Sequence, residues 1–263
     1  IGYCSALRVL VTKDAMTDKE KHSRDNIFST PSNMLVDFVF DEQVANVFPD
    51  MIRRSVPGYD TIIPMLGLFA ERYAQANSNV YDLGCSLGAA TLSMRRRIQK
   101  ENCKIIAVDN AQAMIEHCKD NIARESSPIM VETICDDILN IPIEKASLVV
   151  INFTLQFLAP EVRADLLTTI YAGLNQGGAL VLSEKVINDD QQQQIFYDEL
   201  HTDFKRANGY SDLEISQKRT ALEKVLIPDT SECHIQRLKD IGFEFVSTWF
   251  QCFNFAAFCA VKS

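Results

Sequence analysis

The sequence predicts one α/β domain on a mostly parallel sheet, and three observations carry that prediction. Short apolar runs alternate with helical patterns from residue 79 to residue 184. The first run passes through Gly84 and Gly88 straight into a helical pattern that begins at Ala89. The next run, residues 104–108, closes on Asp109, where a nucleotide-binding α/β unit places a carboxylate for ribose hydroxyls. Strands joined through helices cross over right-handedly into a parallel sheet. A strand handed to a helix through glycines lets the backbone pass close to a ligand that faces the helix N-terminus.

Taken in order, residues 1–13 are apolar but too short to span a bilayer, and they lack the basic start of a secretory signal. Met16 and the polar run after it read as a natural start, so residues 1–15 are expected to be upstream sequence and residues 1–24 to lie outside the fold, disordered or added. Residues 26–59 are irregular, with Phe28, Phe38, Phe40, Val44 and Phe48 broken by Pro31, Pro49 and Pro57. So aromatic a stretch outside the sheet predicts an N-terminal lid over the ligand, in which residues 41–45 can start a short helix. Residues 53–59 read as a turn into a helix over 61–76.

Strands are predicted at 80–83, 104–109, 130–135, 148–153 and 179–184, the last after a Gly177-Gly178 turn, with helices over 111–125 and 160–174. Asp190 opens a helix toward Arg206, whose four glutamines are expected to be exposed. Gly209 breaks it and a second helix starts at Ser211, which makes the pair a helical insertion above the sheet's ligand edge. Asp229 and Glu232 are candidate caps for a helix ending near Gly242, and residues 243–250 and 253–261 close a seven-stranded sheet as an antiparallel hairpin.

Open α/β sheets bind ligands at the C-terminal ends of their strands, where Gly84, Asp109, Asp137 and Asn152 all fall. The first turn, residues 82–88, departs from the dinucleotide pattern because an acid, Asp82, precedes the glycine. A carboxylate there repels a pyrophosphate and suits a cationic centre. The ligand that fits is S-adenosylmethionine, and the turn resembles motif I of the Rossmann-like class I methyltransferase fold. Several residues admit two roles. Asp136 and Asp137 are adenine-side acceptors or solvated loop charges; Tyr59 is core or offers its hydroxyl to a ligand; Arg219 is a solvated charge or a carboxylate clamp. Cys85 reads as a small turn residue, since no histidine neighbours it, and Arg95-Arg96-Arg97 as a solvated surface or a local anion site. Asn152 lacks the following prolines of amino-group methyltransferases, and no Pro-Cys pair supports cysteine-mediated base methylation.

The composition bounds the partners. A net charge of -9 argues against extensive direct contact with nucleic acid, which needs a basic face. The eight cysteines include no Cys-x-x-Cys, which disfavours structural zinc and predicts no metal; scattered reduced thiols point to the cytoplasm, and no membrane span is expected.

Residues 47–52, 55–59, 81–92, 152–158, 204–210 and 249–255 together resemble the carboxy-S-adenosylmethionine synthase family, over about residues 25–262. The resemblance implies conversion of S-adenosylmethionine and prephenate to carboxy-S-adenosylmethionine and phenylpyruvate, for wobble-uridine modification in bacterial tRNA. It implies contacts to the adenosyl substrate from Tyr59, Gly84, Cys85, Ser86, Asp109, Asn110, Asp137, Ile138, Asn152 and Arg219. It also implies a homodimer in which Arg219 reaches the ligand carboxylate across the subunit boundary as the catalytic group, and handover of product to a tRNA-modifying enzyme. Two other readings stay open on the sequence: a small-molecule methyltransferase, and a non-catalytic S-adenosylmethionine-binding partner of a tRNA-modifying enzyme.

Overall fold

The computed structural model describes residues 24–30, 39–222 and 225–263. The expectations for residues 1–23, Pro31 and Phe38 lie outside the described residues. Arg24 belongs to the fold, since its guanidinium donates to the Gly209 carbonyl at 3.1 Å, so the folded part begins no later than this residue.

Seven strands form one sheet in the order β3-β2-β1-β4-β5-β7-β6. β1 (Asn79–Leu83), β2 (Lys104–Asp109), β3 (Met130–Cys135), β4 (Ala146–Asn152) and β5 (Leu174–Lys185) run parallel, and β7 (Phe255–Val261) pairs antiparallel with both β5 and β6 (Phe245–Cys252). The central strands read as continuous apolar runs because both faces are covered. Tyr81, Leu83, Val149, Ile151, Leu180 and Leu182 pack toward α5 (Pro160–Gly173) and α8 (Ser231–Ile241), against Leu166, Ile170 and Leu238. The alternate residues Val80, Leu148, Val150 and Val181 pack toward α2 (Tyr59–Tyr73) and α3 (Ala89–Arg95), against Ile62, Leu66, Ala90 and Met94.

Four local expectations are corrected. The segment read as irregular contains α1 (Glu42–Ser55), capped by the Asp41 carboxylate accepting from Val44 N at 3.0 Å and continuing through Pro49. Burial of Val44, Ala45, Val47 and Met51 outweighs the lost backbone donor, and Arg53, Arg54 and Ser55 form its last turn, not a loop. Gly177 and Gly178 lie inside β5, where the register against β4 slips between Ala146 and Leu148, and do not precede the strand. α8 is capped by Thr230, whose hydroxyl accepts from Cys233 N at 3.1 Å; Asp229 instead pairs with Arg163 and Arg237, each at 2.7 Å. The solvated reading of arginines 95–97 holds for exposed Arg96 and Arg97, paired with Glu125 and Glu71, but not for Arg95, which donates to the carbonyls of Ile122, Glu125 and Ile129.

The insertion is α6 (Gln191–Ala207) and α7 (Asp212–Leu222). Long-range polar contacts fasten it over the strand ends. His201 bonds the Ser55 carbonyl of α1 at 2.8 Å, and Arg54 donates to Asn208 O at 2.7 Å. Asp25, 2% exposed, accepts from the Tyr210 hydroxyl and from Lys218 Nζ at 3.3 Å, while Gln217 donates to the carbonyls of Phe28 and Thr30. The N-terminal residues 24–30 thus act as a strap across α1 and α7.

Candidate active site

Where the parallel strands end, under α1, α6 and α7, lies a cavity of about 1010 Å³. Its floor starts at the turn after β1. Gly84 N and Cys85 N both donate to the Val108 carbonyl at 2.8 Å, which folds the turn onto β2. Gly84 has φ +85°, and a Cβ there would stand 2.1 Å from Thr154 Oγ1, so only glycine fits. Asp109 ends β2 and accepts from Ser86 N at 2.9 Å and Ala111 N at 3.0 Å; burial pushes its pKa up. That carboxylate knits two turns together and borders the cavity.

At the end of β3, Asp137 caps a short 3-10 turn (Ile138–Asn140) by accepting from Leu139 N at 2.9 Å. Asp137 and Ile138 border the cavity, whereas Asp136 turns to Asp137 N and the Asn140 amide, which separates the two neighbouring acids. Asn110, Ser86 and Cys85 line the same floor, and Tyr59 enters from the start of α2, its phenol pushed well up by burial. The Cys85 thiol is held protonated by the neighbouring Cys118 thiol and by burial, which agrees with a turn residue and not a nucleophile.

Two buried acceptors in the lining have no partner. Asp82 receives the Thr91 hydroxyl on Oδ2, but its Oδ1 is unpaired, and burial lifts its pKa to about 6. Asn152 Oδ1, at the end of β4, is also unpaired. A buried acceptor without a donor costs about 1–3 kcal/mol. Two of them beside the Asp109 carboxylate fit an adenosyl ligand that carries an ammonium group and a cationic sulfur. Among the described residues, no group of His, Cys, Asp and Glu is arranged to hold a metal ion. No described helix is long and apolar enough to cross a membrane.

Arg219, exposed on α7, lines the cavity and donates to Thr202 Oγ1 at 3.3 Å, so it reaches the site within its own chain. All the site residues read from the sequence therefore border one cavity. Phe40, Phe48 and Pro49 of the stretch expected as a lid line the roof, and those not foreseen come from the other side: Lys185 at the end of β5, His201 and Lys205 on α6, and Lys218 on α7. Lys185 was findable, since it closes the strand-like run that follows the one ending near Asn152; the lysines of the insertion carry no periodic signal.

Similarity to known proteins agrees with this geometry. Residues 80–178 match a methyltransferase domain family model. Carboxy-S-adenosyl-L-methionine synthases of Shewanella piezotolerans and Photobacterium profundum are 57% and 59% identical over 242 and 239 residues, covering 92% and 91% of this chain and 100% and 98% of theirs. The chain belongs to the carboxy-S-adenosyl-L-methionine synthase family. Membership over nearly the whole length takes in the insertion as well as the sheet. Fold likeness extends further: human N-acetylserotonin methyltransferase, solved in complex with S-adenosylmethionine, aligns with TM-score 0.56 at 16% identity over 84% of this chain and 55% of its own. A cyclopropane synthase of Mycobacterium tuberculosis aligns with TM-score 0.52 at 16% identity, over 71% and 62%.

Proposed function

We propose that the protein converts S-adenosylmethionine and prephenate into carboxy-S-adenosylmethionine and phenylpyruvate. The observation that supports this most is the division of one cavity. Asp82, Asp109, Asp137 and the unpaired Asn152 oxygen border one side, and Lys185, Lys205, Lys218 and Arg219 border the other. A positive wall suits a reaction whose donor is a dianion and whose product gains a carboxylate; an acceptor that needs deprotonating for methylation has no use for it in this form.

The chemistry needs orientation more than a side-chain base. As the donor aromatises it releases carbon dioxide and hydroxide. Hydroxide removes a proton from the methyl group, acidified by the adjacent sulfonium, and the methyl carbon bonds to carbon dioxide. Water, phenylpyruvate and the carboxymethyl sulfonium account for every atom. In this reading Asp109 holds the ribose, Asp137 and Ile138 the adenine edge, and Asp82 and Asn152 the ammonium and sulfonium end. Arg219 receives the new carboxylate. Phe40, Phe48 and Phe157 pack edge to face and cover the site, which keeps bulk water from the hydroxide and carbon dioxide before they react.

The same reading places the protein in the cytoplasm as a homodimer. It passes its product as a small molecule to an enzyme that modifies wobble uridine in tRNA, since a net charge of -9 gives this chain little means of holding tRNA. The first test is mass spectrometry of the small molecule released when protein purified from bacterial cells is denatured. S-adenosylmethionine plus one carboxyl group, formed again on adding S-adenosylmethionine and prephenate, is the expected result. Plain S-adenosylmethionine with no prephenate consumption sinks the proposal.

A further inference from the structure

The cations of the cavity are not equally provided for. Lys218 is 4% exposed and sits in a built network: Asp25 at 3.3 Å, Ser55 Oγ at 3.0 Å and the Tyr210 hydroxyl at 3.3 Å take all its protons. Arg219 has Thr202. Lys185 and Lys205 border the same cavity, half-buried, and neither amine has a hydrogen bond or an ion pair among the described residues. The acid whose charge acts on both is Asp198, in the lining of the same cavity; it accepts from the amides of Gln194 at 2.9 Å and Asn254 at 3.5 Å and forms no ion pair with either lysine. His201, between them and α1, adds no counter-charge: its ring is neutral, bonded to the Ser55 carbonyl and packed edge-on against Phe255.

Two ammonium groups under cover that share one carboxylate, with neither paired to it, repel each other and lose hydration. Both effects are visible. Burial lowers the pKa of Lys185, and burial with the charges of Lys185, Lys218 and Arg219 lowers that of Lys205 to about 7. One carboxylate leaves this pair with an excess positive charge, which an anionic ligand entering the cavity would neutralise. Its place in the fold says which ligand. Lys185 ends β5, two residues beyond Ser183, which pairs with Asn152 at the end of β4, while the ribose and adenine residues of the proposed function end β1 to β3 on the opposite side. The lysines therefore face the second reactant and not the nucleoside.

We propose that Lys185 and Lys205 form a subsite for the carboxylate that the donor retains, separate from the Arg219 position that receives the transferred one. This rests on the proposed function. Lys185 enters with a fixed backbone, because its N–H donates to Gln156 Oε1 at 2.9 Å and the buried Glu184 beside it accepts from Leu155 N and Gln156 N, each at 3.0 Å. The subsite makes the enzyme selective for a donor with two carboxylates. Phenylpyruvate, which keeps only the retained carboxylate, is a probe of this subsite alone.

The test measures, in Lys185→Met and Lys205→Met, the KM for prephenate, the Ki of phenylpyruvate, and the Kd of S-adenosylhomocysteine by calorimetry. Each variant is expected to raise KM and Ki by 10- to 100-fold, the loss of one charge-assisted hydrogen bond. The Kd and the melting temperature are expected to stay close to wild type, and Lys→Arg variants to recover part of the loss. Unchanged KM and Ki in variants of an active enzyme overturn the subsite and leave the synthase reading standing. A rise in Kd equal to the rise in KM overturns it too, by making the lysines part of the adenosyl site. Wild-type protein that does not consume prephenate sinks both, and the wild-type assay alone separates that case.

Discussion

The two sides of the cavity are built by different means. The adenosyl side is made of strand ends and tight turns, in which backbone N–H groups of Ser86, Ala111 and Leu139 fix the acids in place. The opposite side is roofed by an insertion whose position depends on side chains meeting from far apart in the chain, as with Asp25 and Tyr210, separated by 185 residues. The adenosyl side is thus a property of the sheet and is rigid wherever the sheet is. The other side is a property of a few buried polar contacts, and single substitutions there can disturb the second reactant while sparing the first.

Arg163→Ala breaks that comparison most severely. Arg163 is 0% exposed on α5 and donates to Leu158 O, Ile227 O and Asp229, tying the chain that returns from α7 to the loop after β4. Truncation strands two carbonyls and leaves Asp229 with Arg237 alone. The expected cost is about 3–5 kcal/mol, a fall in Tm of roughly 10 °C. Calorimetric unfolding measures it. At a temperature where the variant is still folded, its KM for prephenate is expected to rise more than its Kd for S-adenosylhomocysteine; equal losses contradict the independence of the two sides.

Asp109→Asn tests the adenosyl side. Both carboxyl oxygens accept backbone hydrogens, so an amide turns one acceptor into a donor facing an N–H and withdraws the charge that the proposed function assigns to the ribose. Titration calorimetry should show S-adenosylhomocysteine binding weakened by 10- to 100-fold, about 1.5–3 kcal/mol. Phenylpyruvate inhibition should change little. Unaltered nucleoside affinity reduces Asp109 to a turn-holding residue.

The same division explains what could be read in advance. Gly84 at φ +85° and Gly88 at φ +83° are glycines that the turn requires, and a glycine requirement, like a two-faced apolar strand, is a local fact written in adjacent residues. The seven strands, Gly84 and Asp109 follow from such facts, whereas choosing Asp137 over Asp136 and naming Ser86, Asn110 and Ile138 took the family resemblance. α1 was hidden because Pro49 reads as a breaker, and only tertiary burial of Met51 and Val47 shows why the helix continues. Thr230 takes the cap expected of Asp229 or Glu232, because Asp229 is claimed by Arg163, a partner 66 residues away. Lys185, Lys205 and Asp25 become a site and its fastening only once α6 and α7 have been laid over the sheet.

Acid sharpens the comparison with the smallest effect. His201 is 8% exposed and joins α6 to α1; burial, then the charges of Lys205 and Lys185, lower its pKa to about 3. Lys205 faces it from its own helix, Lys185 from β5 and Arg219 from α7, all cationic, with the Ser55 carbonyl on α1 and Phe255 on β7. Unfolded histidine takes a proton near pH 6.5, so between that value and about 3 the unfolded state binds the proton that folded His201 refuses. Its contribution is fully present above pH 6.5 and is lost as pH falls, on the order of 1 kcal/mol per pH unit. His234, lowered to about 4, adds its own slope over part of the same range. Urea unfolding of wild type and His201→Gln at pH 7.5, 6.0 and 5.0 separates the two, because the variant keeps the slope due to His234 and loses the part due to His201. A variant as acid-sensitive as wild type would mean that His201 is protonated in the folded state, and the insertion would then be held by a charged imidazolium.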